Sequence, residues 1–184
     1  MNCREKNAGT GLEVNMRSSG VNEILGTFKL HRKLTRDLLC SLDPEQLTLK
    51  PFERAGTFGK QFRHLLDIER CYVESIINGS LTFFRPHVDH ALEADRERLI
   101  RELDLEDGKL EKIFESIQLQ KANEKYIDCS QVVQYLGNDN IRASPVQILS
   151  WLTEHEILHD GELALYVRTA ELKFPGSWMI WGLR

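Results

Sequence analysis

Residues 144–166, SPVQILSWLTEHEILHDGELALY, form the stretch that decides the fold of this chain. Ser144, followed by Pro145 and then by Gln147 three residues after the serine, is typical of a helix start closed by a capping box. Beyond it, steps of 4, 3, 4, 3 and 4 residues keep side chains on one face of a packed helix. These steps separate six residues of the stretch: Ile148, Leu152, His155, His159, Glu162 and Tyr166. The stretch therefore predicts a helix that buries imidazoles where leucines are expected.

These two imidazoles need partners, because a buried polar group without one costs about 1–3 kcal/mol. His155 and His159 stand one helical turn apart, about 6 Å along the axis, with their side chains on the same face. Two imidazoles placed in this way can reach one metal ion, and hydrogen bonding within the core is the alternative. A third histidine would complete a site that keeps at least one coordination position open, as reactive metal sites do.

The composition narrows the classes of function. A chain of 184 residues with a formal charge of −4 lacks the general basic surface that nucleic acids and anionic membranes attract. Its four cysteines are scattered without a CxxC pair, and the sequence has neither a signal-peptide pattern nor an apolar run long enough for a membrane span. We therefore expect a cytoplasmic protein that acts on a small molecule and binds neither nucleic acid nor a membrane.

Apolar residues at helical spacing predict three more long helices, so that the expected fold is an all-α four-helix bundle. The first helix is predicted to end at Asp43-Pro44. The second is predicted to begin after the N-cap Thr57 and to end at Gly79. A kink or break is expected in the third at Asp107-Gly108. The predicted helices span residues 21–43, 57–79, 91–118 and 144–172.

The remaining segments flank or connect the bundle, which we place at 20–173. Residues 1–19 are rich in glycine and small polar side chains and are expected to be a flexible leader. Residues 119–143 predict a long crossover before the last helix, with a short hairpin or extended connection and a turn at 137–140. Residues 174–184 form a tail too apolar to be left in water, so we expect it to pack on the bundle or on a second subunit.

Four other histidines are candidates for the third ligand. His64 borders the apolar stripe of the second helix, which can face the last helix, and is the first choice. His31 lies in phase with the apolar residues of the first helix and is the reserve. His87 and His90 follow a proline in what reads as a loop, where a solvated pair is the simpler interpretation.

Residues 155–159 also match the HExxH pattern of zinc peptidases, in which the glutamate, here Glu156, is the general base. The extended pattern asks for glycine and histidine where this chain has Glu162 and Leu165. Glu171 stands twelve residues beyond His159 on the same helix, about 18 Å away, too far to share an ion. A metallopeptidase is therefore a remote alternative.

The last helix resembles the final helix of the DinB/YfiT-like superfamily. The usual form of that motif is histidine, three residues, histidine, arginine, glycine, glutamine, leucine, and this chain matches it at His155, His159, Gly161 and Leu163. Residues 58–69 resemble the first metal-binding region of the superfamily, and residues 42–51 resemble its exit from the first helix. The resemblance covers about residues 20–172.

The resemblance implies a four-helix bundle, frequently dimeric, that holds a divalent ion, commonly nickel or zinc, on three histidines. Here these would be His64, His155 and His159. Asp160 stands where arginine is usual and Glu162 where glutamine is usual, which predicts a more acidic rim that disfavours anionic substrates.

Relatives act as thiol-dependent transferases and isomerases or as metal-dependent hydrolases, so two enzyme mechanisms stay open. In a hydrolase the ion would activate water, with Glu156 or Glu162 as proton acceptor. In a transferase or isomerase it would hold the sulfur of a low-molecular-weight thiol cosubstrate. The alternative from another class is a non-catalytic, stress-related metal-binding dimer or scaffold with a closed site.

Overall fold

The computed structural model describes residues 10–83, 88–116, 126–133 and 141–183. The fold is all-α and is built on four long helices, α1 (Thr10–Ser41), α3 (Phe58–Asn78), α4 (Arg96–Ser116) and α6 (Pro145–Thr169). α1 and α3 each pack against both α4 and α6, so the four close into a bundle as predicted. The shorter elements are the helices α2 (Pro44–Leu47) and α5 (Ser130–Val133), the 3₁₀ turns His90–Ala94 and Gly176–Trp181, and the strands β1 (Ile127–Asp128) and β2 (Arg142–Ala143).

The predicted helix boundaries at Thr57, Gly79 and Ser144 are confirmed. The Thr57 hydroxyl accepts a hydrogen bond from the backbone N–H of Lys60 at 3.1 Å, and Gly79 ends α3 in the left-handed conformation at φ 81°. At the start of α6, the hydroxyl of Ser144 accepts from the N–H of Gln147, whose side-chain oxygen accepts in return from the N–H of Ser144. This capping box fixes the start of the helix that carries two of the candidate ligands.

Two helix starts differ from the prediction. α1 begins at Thr10 rather than near residue 21, because extending an existing helix by one residue is far easier than nucleating one, even through polar sequence. α4 begins at Arg96 rather than 91, because the chain first makes a 3₁₀ turn and Asp95 then accepts a hydrogen bond from the N–H of Arg98. α4 continues through Asp107 and Gly108 without the predicted break.

Of the long crossover, residues 117–125 and 134–140 lie outside the described residues, and so do the predicted turn at 137–140 and His87. What is described agrees in part with a hairpin. β1 and β2 pair antiparallel, with Ile127 opposite Ala143, and helix α5 lies between them in the chain. The pair leads directly into the capped start of α6.

The C-terminal tail lies against the bundle. Trp178 is buried, and its indole N–H donates to the backbone oxygen of Leu34 in α1 at 3.0 Å. The neighbouring Met179, Ile180 and Trp181 are more than half exposed. Among the described helices, none combines the length and the apolar character that a membrane crossing requires.

Candidate metal centre

Three imidazoles converge between α3 and α6. His64 comes from α3, and His155 and His159 come from α6. One ring nitrogen from each can be chosen so that all three lie within 4.8 Å of one another. The Nε2 atoms of His155 and His159 are 3.2 Å apart, and the centroid of the His64 ring lies 5.3 and 4.9 Å from theirs. The structure thus brings together the three predicted ligands.

The spacing and the donor chemistry fit a divalent ion. With zinc–nitrogen bonds of about 2.0–2.1 Å, two ligands of a tetrahedral site stand roughly 3.3 Å apart, close to the distance between the two Nε2 atoms. The Nδ1 atom of His155 is buried without a hydrogen bond among the described residues. The Nδ1 atom of His159 lies 2.7 Å from a carboxylate oxygen of Glu162, at ion-pair distance although out of line for a hydrogen bond. A carboxylate behind a ligating imidazole is the usual arrangement for orienting it.

The environment favours the neutral form of two candidate ligands, His64 and His155, and the neutral form is the one that binds a metal. Burial, followed by the nearby imidazoles of His159 and His64, lowers the pKa of His155 to about 3. Burial, His159 and Arg63 lower the pKa of His64 as well. Both rings can therefore offer lone pairs at neutral pH.

The placement of His64 depends on how closely α3 approaches the 3₁₀ turn at His90–Ala94. A Cβ atom on Gly59 would stand 1.7 Å from the backbone oxygen of Glu93, so a glycine is required there. Next to His64, the guanidinium of Arg63 donates to Asp67 at 2.5 Å and to Glu93 at 2.8 Å. These contacts fix the first turns of α3 and hence the position of the imidazole.

Behind the histidines lies a buried polar cluster that the sequence analysis did not identify. Arg32 of α1 is 4% exposed, and its guanidinium donates to Glu69 of α3 at 2.8 Å. It also lies 3.2 Å from Asp107 of α4 and 3.4 Å from Glu156 of α6. One cation thus joins carboxylates from the three other helices of the bundle.

Burial changes the titration of two carboxylates of this cluster, those of Glu69 and Asp107. Burial raises the pKa of Glu69 well above its ordinary value, against the opposing charge of Arg32. Burial also raises the pKa of Asp107, again opposed by Arg32. Burial alone would lower the pKa of Arg32, but the surrounding carboxylates, with Glu156 and Glu69 foremost, raise it.

Glu156 belongs to this cluster. Its carboxylate is fully buried and accepts a hydrogen bond from the hydroxyl of Thr35 in α1 at 2.5 Å. Because it is committed to Thr35 and Arg32, this geometry does not favour Glu156 as the proton acceptor, and the same contacts count against the HExxH peptidase alternative. Glu162, with a side chain that is 44% exposed, is the better placed of the two predicted acceptors.

His31 and Asp160 form a pair apart from the three histidines. Nδ1 of His31 lies 2.6 Å from one oxygen of Asp160, and both residues are buried. His31, the reserve ligand, is thus engaged elsewhere. Burial raises the pKa of Asp160 to about 6, although the hydrogen bond from His31 opposes the shift. The prediction that Asp160 makes the rim of the site acidic is wrong, because its carboxylate faces α1.

A signal for the cluster was present in the sequence. Arg32 and Thr35 stand between Phe28 and Leu39 at steps of 4, 3 and 4 residues, the spacing that singled out the histidines. Glu69 likewise lies in the apolar stripe of α3, where it is completely buried. Polar residues inside a helical stripe thus mark the cluster as well as the candidate ligands.

The bundle and the histidine group define an all-α protein with a candidate three-histidine metal centre. The DinB family model matches residues 16–176, and the chain belongs to the DinB family. The crystal structure of a DinB-like protein, YjoA from Bacillus subtilis, is similar to it with a TM-score of 0.60 and 21% sequence identity, over 81% of this chain and 92% of that one. No curated protein matches the sequence.

Proposed function

We propose that this chain binds one divalent metal ion through His64, His155 and His159 and is a metal-dependent enzyme acting on a small molecule. The observation that carries the proposal is the convergence of three imidazoles from two helices, with two Nε2 atoms 3.2 Å apart. Imidazole ligands suit several transition metals, of which zinc and nickel are the ones proposed here. Three protein ligands leave room for an exchangeable one.

A divalent ion held there would supply Lewis-acid activation of a water molecule or a small thiol at its open position. The protein's own residues supply the rest. Glu162 steadies the ring of His159 from a distance of 2.7 Å and, being half-exposed, is available to accept a proton from a bound molecule. The cluster around Arg32 holds α6 in place from the opposite side.

Hydrolysis and thiol-dependent transfer both fit this arrangement, and hydrolysis is the first choice because Glu162 provides a proton acceptor beside the ligands. With Asp160 directed into the interior, the rim keeps Glu162 but is less acidic than the sequence suggests, so a thiol that carries carboxylates is less disfavoured. The thiol-dependent transferase is therefore the second candidate.

Cobalt(II) substitution tests the site and separates the two mechanisms. The metal-free protein is titrated with Co²⁺, and we expect visible absorption typical of a four- or five-coordinate nitrogen site at one ion per chain. The His155→Ala variant should give no such spectrum, whereas His90→Ala, which replaces an exposed histidine outside the group, should match the wild type. Absence of the spectrum in the wild type would contradict the proposal.

A small thiol added to the cobalt protein distinguishes the mechanisms. A new sulfur-to-cobalt charge-transfer band would favour the transferase. An unchanged spectrum with every cellular thiol tested, together with hydrolysis of activated esters or amides that depends on Glu162, would favour the hydrolase. The variant Glu162→Gln keeps the shape of the side chain and should lower kcat while the metal is retained.

We also propose that the protein is a cytoplasmic homodimer. Supporting the dimer, Met179 and Ile180 at the end of the tail are exposed, whereas Trp178 is anchored in the bundle. Removing the residues after Trp178 should convert the dimer to a monomer in light scattering without unfolding the bundle. A monomeric wild type would contradict this part of the proposal.

A further inference from the structure

A cavity lies between α1, α6 and the C-terminal 3₁₀ turn. Its volume is about 270 Å³, and its walls include Ile157, Ala164, Trp181 and Leu183. An apolar cavity of about 150 Å³ is enough to bind benzene, so this one is large enough for one or two aromatic rings. The cavity is thus of a size to hold a small, largely apolar molecule.

Two polar residues, His31 and Asp160, also line this cavity. Nδ1 of His31 lies 2.6 Å from Oδ2 of Asp160, and Oδ1 of Asp160 lies 3.1 Å from the hydroxyl oxygen of Thr35. Both carboxylate oxygens are therefore engaged within the protein. In the tautomer whose Nδ1–H donates to Asp160, Nε2 of His31 is a hydrogen-bond acceptor in an orientation that this bond fixes.

An aromatic side chain completes the surroundings of that imidazole. The ring of Trp181 lies 5.5 Å from the ring of His31, centroid to centroid, at an interplanar angle of 48°. Trp181 is 54% exposed, so it is not packed into the core. A planar ligand could thus contact the indole while its polar group meets His31.

This cavity is separate from the candidate metal centre. At about 100° per residue, Ile157, Gly161 and Ala164 lie on the face of α6 roughly opposite to His155 and His159. The lining residues accordingly include none of the three histidines. A ligand in this cavity would use residues that the proposed enzyme mechanism does not involve.

We propose that this cavity is a binding site for a small aromatic molecule of one or two rings that bears one hydroxyl group. The apolar walls and Trp181 receive the rings, and the hydroxyl donates to Nε2 of His31, whose orientation Asp160 fixes. A neutral hydroxyl matches this acceptor, whereas a ligand without a donor leaves Nε2 unsatisfied and binds more weakly.

The test compares two probes that differ in the hydroxyl group, 2-naphthol and naphthalene, by equilibrium dialysis against the full-length protein. We expect saturable binding of 2-naphthol at one site per chain, at least tenfold tighter than that of naphthalene. The variant His31→Phe should bind both probes equally. Equal affinities in the wild type, or no saturable binding, would overturn the proposal.

Two further variants separate the cavity from general apolar binding and from failure to fold. Gly161→Leu fills the cavity from α6 and should abolish binding of both probes. The variant should fold, because a Cβ atom at this position meets nothing within 4 Å and glycine is a poor helix former. Leu165→Ala removes an exposed apolar side chain outside the cavity and should change neither affinity. Unchanged binding in Gly161→Leu would overturn the proposal.

The double variant His155→Ala/His159→Ala makes the outcome independent of the metal centre. It should lose any bound metal and still bind 2-naphthol as the wild type does. Loss of 2-naphthol binding in this variant, with the fold intact by circular dichroism, would contradict a separate site.

Discussion

Replacing Arg32 with methionine should destabilise the bundle far more than replacing any surface arginine. Arg32 is the cation that meets Glu69, Asp107 and Glu156, at 2.8, 3.2 and 3.4 Å. Its guanidinium also lies 5.2 Å from the ring centroid of Phe28. Methionine keeps much of the apolar stem but leaves buried carboxylates without a counter-charge, which in other proteins costs about 3–5 kcal/mol. We expect a loss of this size at pH 7.

The matched control is Arg36→Met, one turn further along the same helix. Arg36 pairs with Asp104 at the same distance of 2.8 Å, but both side chains are 45% exposed. Such a surface pair is worth about 0–1 kcal/mol because water screens it. Urea unfolding of both variants, followed by circular dichroism, gives the two free energies on one scale. Losses that agree within about 1 kcal/mol would refute the claim that the Arg32 cluster depends on its cation.

The pH dependence of the same comparison tests the cause. Because burial raises the pKa of Glu69 and that of Asp107, the folded protein binds more protons than the unfolded chain between the ordinary and the raised values. Acidification through that window therefore stabilises the folded state. Loss of Arg32 removes the charge that holds both pKa values down. Part of the deficit of Arg32→Met at pH 7 should disappear at pH 5, and a larger deficit at pH 5 would contradict the reasoning.

Three more outcomes follow from local geometry. Gly59→Ala should lower the unfolding temperature strongly, because its Cβ would stand 1.7 Å from the backbone oxygen of Glu93. Gly108→Ala, in open space on a helix, should instead stabilise the protein by about 0.5–1 kcal/mol. Equal melting temperatures of the two variants would contradict this. Ser144→Ala should cost about 1 kcal/mol in urea unfolding through loss of the helix cap, and no loss would show that the cap is dispensable. Because the pKa of His155 is lowered to about 3 in the folded state, below pH 6.5 the unfolded metal-free wild type binds a proton that the folded protein does not, and acidification destabilises it. His155→Leu lacks this group and should gain stability relative to the metal-free wild type as pH falls from 7 to 5. A difference in urea unfolding that stays constant would contradict that pKa.

The parts of the fold that could be predicted depend on local sequence. Thr57 and Ser144 are N-caps because their hydroxyls reach backbone N–H groups three residues on, and Gly79 ends a helix because it adopts a positive φ. The convergence of His155 and His159 with His64 could be predicted from helical spacing combined with the resemblance to the DinB family.

The parts that could not be predicted depend on packing between helices. Whether Asp160 faced solvent or His31 depended on the rotation of α6 against α1, and helical spacing alone places it at the edge of the buried face. The partners of Arg32 come from three other helices, so no local sequence pattern predicts them. The 3₁₀ turn before α4 lies against α3, where Gly59 and Glu93, 34 positions apart in the chain, come close together.

The central claim is that His64, His155 and His159 hold a metal ion, and elemental analysis tests it most directly. The protein is purified without chelator or affinity metal, beside the single variants His64→Ala and His31→Ala and the double variant His155→Ala/His159→Ala. The proposal predicts close to one equivalent of zinc or nickel in the wild type and in His31→Ala, whose imidazole is committed to Asp160. It predicts none in the other two variants. A folded wild type without metal even after exposure to Zn²⁺ and Ni²⁺, or metal retained in the double variant, would contradict the claim.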